Sequence, residues 1–503
     1  MNSSLSRSRF NTLFFPIVRR LAFLSVLLAA FCRPMLANNI TVSSPVLSTG
    51  STADSYDFVT FNLSWENSWR LSSGASNWDA AWVFVKYRVS GGEWLPANLH
   101  NTDHVAGTGT AADITVGLVD DNTAFNATTN PGIGAFVYRS SAGSGTFTST
   151  GLKLRWDYGA DGISIGTNVE VKVFAIEMVR VQQGAFNVGG GGGGGTTDAF
   201  VSTTINTPTA TTAPSGSGTL GGEAGGYPTG QTAPSNDSWP NGFAAFYCMK
   251  YEVTQQQYVD FLNTLTQTKA TARKHTLDPL VTRYAITGST AGSYVTTNPN
   301  VACNFLSWAD CAAYADWSGL RPMTELEFEK ACRGPLAAVT DEYAWGTADV
   351  ASSAYTLSNA ATASEGIATN YSTTGNAMYS TTKVSGNNGP VRVGIFSNGT
   401  SGRVSAGASY WGIMELSGNV WERPVTMANV TGRAYTGTHG DGVLDSSGDA
   451  NAATWPGTDA VGAGWRGGSW NSVTLHMQVS DRFFAGLSDS VRNINLGFRA
   501  VRR

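Results

Sequence analysis

Four cysteines, Cys248, Cys303, Cys311 and Cys332, are the most reactive side chains in the body of the sequence. None forms a Cys-x-x-Cys, so their spacing is not that of a structural metal site. They allow three disulfide pairings, and the sequence chooses none of them. For Cys311 and Cys332, which fall in predicted helices, small buried thiols are as open as disulfides. His100 and His104 have i, i+4 spacing, but the surrounding Asn-Thr-Asp and Gly-Thr-Gly read as a solvated loop. Asp441, Asp445 and Asp449 line a Gly-rich loop without the EF-hand interval. The run Gly189–Gly195 would cradle phosphate only with a strand before it and a helix after it, and no helix is evident there. Arg482, Arg492 and Arg499 are forked cations that need carboxylate or carbonyl partners if buried.

The elements that hold these residues are partly legible. Val59–Trp65 and Ala81–Val89 alternate with period two, and Gly91-Gly92 gives a turn signal. Further strands are expected at 134–139, 146–157 and 169–176, and residues 38–173 read as an all-β sandwich domain. Trp65, Trp69, Trp78, Trp82 and Trp94 either fill its core, the favoured reading, or stack sugars. No linker follows, because Val169–Met178 runs directly into the next segment. A second domain is expected over 174–503, with a mobile Gly/Thr/Ser/Pro-rich insert at about 189–237. Its helices carry start signals: Thr254 with Gln257, Ser307 with Asp310, and Thr324 with Glu327. Tyr258, Phe261, Leu262 and Leu265 form one apolar face. Near the C-terminus, Trp465–Trp470 through Arg499 reads as a turn, a strand, a polar loop and a final strand. Gly467 and Gly468 supply backbone freedom at the turn.

Charged residues are 14% of the chain and glycines number 58, a β- and loop-rich composition well below the usual ~25% charge. The net charge is -4 and no basic block occurs, which argues against nucleic acid. Residues 1–37 read as a secretory signal peptide. They pair a basic start with an apolar run, Leu21–Phe31, too short to span a bilayer. A secreted or cell-surface chain without a transmembrane segment is therefore expected.

Five ordered segments carry a family resemblance: Met178–Phe186, Lys250–Tyr258, Gly319–Glu329, Gly412–Glu422 and Trp465–Arg499. The region 174–503 resembles the formylglycine-generating enzyme, or sulfatase-modifying factor, family. The resemblance implies an α+β, C-type-lectin-like domain. It also implies a copper site built from two cysteine thiolates after the Gly-Gly-Ser-aromatic motif, since soft sulfur suits Cu(I). On this chain those positions are Ser472 and Met477, and no cysteine lies beyond Cys332. A hydroxyl and one thioether cannot replace two charged sulfurs, so no catalytic residue is expected and copper is unlikely. The iron-dependent branch of the family needs a histidine-rich site and a helical domain, neither of which is apparent.

The resemblance further implies a Ca²⁺ site formed by the side chains of Glu415 and Glu422 and the carbonyls of Gly418 and Val420, with Asn370 in a second site. Hard oxygens suit that ion. The alternative is that Glu422 pairs with a buried arginine such as Arg499. A ligand groove is implied around Trp421, Ser469 and Trp470, with Ser472, His476 and Met477 on the loop beside it. The expected function is a secreted, non-catalytic scaffold for extracellular structural assembly or ligand binding. Its partners would be an extracellular protein, a glycan or further copies of itself. The alternatives are a glycan or peptide receptor with a variable C-terminal loop and, disfavoured, a metal-dependent oxidoreductase.

Overall fold

The computed structural model describes residues 39–190, 198–200, 202–209, 234, 236–276, 281–384 and 388–503. The expected signal peptide and most of the expected insert lie outside these. The chain is a mixed α+β fold with several sheets and modest helical content. The strands that matter for the site are β1 (Thr41–Ser51), β2 (Tyr56–Arg70), β3 (Asp79–Val89), β4 (Ala112–Leu118), β5 (Gly132–Arg139), β6 (Gly143–Trp156), β7 (Val169–Val181), β8 (Phe246–Met249), β9 (Arg321–Pro322) and β10 (Ala500–Arg502).

One sheet runs in the order β9-β10-β8-β7-β3-β5-β4. Strand β7 pairs antiparallel with β3 from Asp79↔Val179 to Val89↔Val169. Its last residues pair on the other side with β8, from Met178↔Met249 to Val181↔Phe246. Side chains along a strand alternate between faces, and here each face has its own core. Ala81, Val83, Val85 and Tyr87 pack with Phe61, Leu63 and Trp65 of β2 and with Leu152 and Leu154 of β6. Ala80, Trp82 and Phe84 instead pack with Tyr258, Phe261, Tyr314 and Trp317. Thus β3 alternates in direction but not in environment, being buried continuously from Asp79 to Tyr87. Trp65 and Trp82 are fully buried, on opposite faces.

The capping boxes are present. Thr254 caps α1 (Gln255–Leu262), Ser307 caps α3 (Trp308–Trp317) and Thr324 caps α4 (Glu325–Arg333), while α2 spans Gln267–Arg273. Gly334 ends α4 at φ 68°, where a side chain would be strained. The described residues of 341–409 hold one short hairpin, Thr356–Ser358 with Gly366–Thr369, amid turns. All four described cysteines are free and buried, so the buried-thiol reading holds for each.

One expected strand does not form. After Trp470 the chain makes turns and a 3₁₀ segment, Thr474–Met477, and the next strand is β10. The backbone there bonds to loops instead of a ladder. Val479 N donates to Glu342 O, Val479 O accepts from Arg466, and Arg482 N donates to Asp198 O. Among the described residues, no helix is long and apolar enough to cross a membrane.

Candidate functional site

Helix α4 positions the C-terminal loop. All its residues are buried, including its charges, and buried charges persist only when paired. Glu325 accepts from Arg482 Nε at 2.6 Å and Nη2 at 3.0 Å, and from Arg466 Nη1 at 2.9 Å. Glu329 accepts from Arg466 Nη2 at 2.8 Å, and Arg333 joins Glu329 to Glu342. Three carboxylates thus meet three guanidiniums. Burial alone would raise the Glu325 carboxyl, but Arg482 and then Arg466 outweigh it and hold it down at about 2.

Between Arg466 and the loop, Gly467 and Gly468 take φ of 86° and 72°. A Cβ on Gly467 would lie 2.7 Å from Leu416 O, and one on Gly468 2.9 Å from Met477 Cγ. The turn therefore requires glycine on both counts.

The residues expected around the groove separate into four places. Ser472 Oγ accepts from Ser469 N at 3.0 Å and lies 2.8 Å from Ser469 Oγ, which donates to Asn471 Oδ1 at 2.8 Å. Met477 is buried with Tyr343, Trp345 and Ala377. Trp470 is buried in another cluster with Tyr355 and Phe396, its indole donating to Ile494 O at 3.1 Å. Trp421 and His476 do meet, with ring centroids 5.9 Å apart, beside Trp465 and Phe484. His476 Nδ1 lies 3.1 Å from Asp481 Oδ2.

The Glu415–Glu422 loop brings a second set together. Glu422 Oε1 accepts from Arg499 Nε at 2.7 Å, so the expected alternative pairing is present. Arg499 also donates to the carbonyls of Met249, Lys250 and Met414. Glu415 Oε1 accepts from Gly394 N at 2.8 Å. Both oxygens of Glu252 are bonded, to Val420 N at 3.0 Å and to Asn419 Nδ2 at 2.5 Å. Glu415 Oε2 and Glu422 Oε2 are buried without a partner. Among the described residues the Gly418 and Val420 carbonyls accept no hydrogen bond either.

The electrostatics are the reverse of those at α4. Burial pushes Glu415 up to about 7. Burial, then the charges of Glu415 and Glu422, raise Glu252. Burial raises Glu422 despite Arg499. Hard, partnerless oxygens are the donor type a divalent cation such as Ca²⁺ takes. They are the four oxygens assigned to Ca²⁺ above. No group of three or more His, Cys, Asp or Glu converges as a metal site among the described residues, and this set uses two carboxylates and two carbonyls. Asn370 is exposed, donates to Ala354 O at 2.6 Å and shares no hydrogen bond with the cluster.

Sequence reasoning missed Glu252 as a member of this cluster, and Arg466 as the hub at α4. Glu252 stands in the quoted Lys250–Tyr258 segment, and a carboxylate just before a helix cap was the available signal.

The Sulfatase-modifying factor enzyme 1-like domain matches residues 175–503, more than half of the chain, and the chain belongs to that family. It is 48% identical over 56 residues to the formylglycine-generating enzyme of Streptomyces coelicolor, a stretch covering 11% of this chain and 17% of that protein. It is 46% identical over 55 residues to the formylglycine-generating enzyme of Thermomonospora curvata, covering 11% and 18%. The matched stretches are thus under a fifth of either relative's length.

Proposed function

We propose that this chain is a secreted, non-catalytic member of the family, in which a C-type-lectin-like domain and a β-sandwich domain serve extracellular structural assembly. The observation that carries this reading is the fate of the two positions at which the family is expected to hold copper. Ser472 is tied to Ser469 by hydrogen bonds, and the Met477 thioether is packed into a core beside Trp345. Neither supplies a thiolate. The loop around them keeps Val473 and Val491 60% and 57% exposed, apolar surface on a rigid support that suits a protein partner. Ca²⁺ held by Glu415, Glu422 and the carbonyls of Gly418 and Val420 would stiffen the loop's base. The second reading, a glycan or peptide receptor, is favoured by the Trp421–Trp465–His476–Phe484 cluster beside the same loop.

Two measurements test the main reading. Purified chain supplied with Cu(I) and a sulfatase-derived cysteine peptide is expected to yield no aldehyde by mass spectrometry, and aldehyde would overturn it. Light scattering on the full chain is expected to show concentration-dependent association that Val473→Asp with Val491→Asp abolishes. A monomer at every concentration removes self-assembly.

A further inference from the structure

A cleft of about 730 Å³ opens where the β2–β3 connection meets the 397–414 segment. Its walls come from both sides of that junction: Trp69 and Leu71 from one, Tyr251, Tyr410, Trp411 and Met414 from the other. It shares no residue with the 471–495 loop. We propose that this cleft binds a neutral saccharide, with a sugar ring face on Trp69 and sugar hydroxyls on Asn67, Ser397 and Tyr410.

The aromatic wall is built in advance. Trp69 N donates to Asp79 Oδ1 at 2.9 Å, which anchors the residue from behind. Lys250 Nζ lies 4.8 Å from the Trp69 ring centroid. Gly412, at φ +89°, leaves the space the ring occupies, and a Cβ there would come within 3.0 Å of it. Trp411 is fixed in turn by its indole, which donates to Lys330 O at 2.9 Å. A wall already ordered costs little when a ligand arrives.

The polar groups are free to receive hydroxyls. Among the described residues, the Asn67 amide, the Ser397 hydroxyl and the Tyr410 hydroxyl make no hydrogen bond, and all three residues line the cleft and are half-buried. Such side chains gain partners on binding without breaking any.

The two cations of the cleft are engaged within the protein. Lys250 is paired with Glu177 at 3.0 Å and Asp79 at 3.5 Å. Arg403 lies 5.7 Å from the Tyr410 ring centroid and donates to Ala344 O at 3.0 Å. Lys250 therefore has its counter-charges within the protein, and the Arg403 guanidinium is engaged by a carbonyl and an aromatic ring. The volume falls within the ~300–1,000 Å³ of small-molecule sites, which favour junctions of this kind. Flat apolar rings rimmed by hydroxyl and amide groups match the chemistry of a sugar, whose ring has a C–H face and a hydroxyl edge.

The test uses the full chain, with cellohexaose, maltohexaose and chitohexaose as neutral probes and hexagalacturonate as the charged one. Calorimetry and saturation-transfer NMR are expected to detect at least one neutral probe. Trp69→Ala should weaken that binding at least tenfold. Ser397→Trp fills the cleft from a position whose side chain has no bond to lose, and should abolish binding with the melting temperature unchanged. The proposal is overturned if no neutral probe binds, if hexagalacturonate binds more tightly than all three, or if Ser397→Trp binds as well as the parent chain. Light scattering in the same preparations reports on the loop separately.

Discussion

Two buried clusters of glutamates flank the C-terminal loop, and they are opposites. At α4, Glu325, Glu329 and Glu342 face Arg333, Arg466 and Arg482. At the 415–422 loop, Glu252, Glu415 and Glu422 gather around Arg499, which is hydrogen-bonded to one of them. In the first set no carboxylate oxygen is buried unmatched, and the orphaned atoms are Arg466 Nε and Arg482 Nη1, whereas the second leaves two carboxylate oxygens unmatched. Burial is common to both, so burial alone does not decide their character. The count of ion pairs does: three guanidiniums bond the three carboxylates at α4, and Arg499 bonds one of the three at the loop.

The sharpest way to break this contrast is to remove the brace's centre. Glu325→Ala leaves Arg482 without its carboxylate in a dry core and Arg466 with Glu329 alone, and uncompensated buried charge of that kind costs about 3–5 kcal/mol. Urea denaturation is expected to show a loss in this range or outright failure to fold. A loss under about 1 kcal/mol would mean the brace bears little.

The second test titrates the incomplete cluster. Calcium at about 100 times its dissociation constant should stabilise the chain by about 2.7 kcal/mol, read as a melting temperature that falls when a chelator is added. The pH dependences run in opposite directions. Glu415 is raised from 4.5 to about 7. Without calcium, its contribution is full below about 4.5 and is lost as pH rises through 7. Calcium competes with that proton, so the gain from calcium should grow between pH 5 and pH 8. Glu325, lowered to about 2, contributes above 4.5 and is lost as pH falls toward 2. A calcium effect of equal size at pH 5 and pH 8, or none at either, would remove the ion from the loop.

The smallest expected effect is at the entrance to α4. Thr324 Oγ1 accepts from Glu327 N at 3.2 Å and donates to Pro240 O at 2.7 Å. Thr324→Ala should cost about 1 kcal/mol, visible as a shifted urea midpoint with an unchanged slope. A larger loss would show the brace to depend on its cap as well as its charges.

Local signals were the readable ones. Thr254, Ser307 and Thr324 announce their helices because a cap and its partner lie three residues apart. Tyr258, Phe261 and Leu262 show their face for the same reason. Arg482, Arg492 and Arg499 were expected to need acids, and they reach Glu325, Asp310 and Glu422. The identity of those acids was not legible, since each lies at least 77 residues away. Nor was the missing strand after Trp470, whose backbone is taken up by Glu342 and Asp198 from distant loops and by the Arg466 side chain. The alternation over Ala81–Val89 marks β3 as a strand. That both of its faces are covered depends on where β7 goes next, which no local pattern records.

Strand β7 is gripped along one edge by β3 and, at its far end, by β8 on the other. A tensile load entering through the N-terminal strands therefore crosses into the helical half by ladder bonds stressed together, in shear, with no joint to bend. Whatever is tethered at one extremity is held at a set angle to whatever is tethered at the other, so orientation travels through the molecule along with the pull.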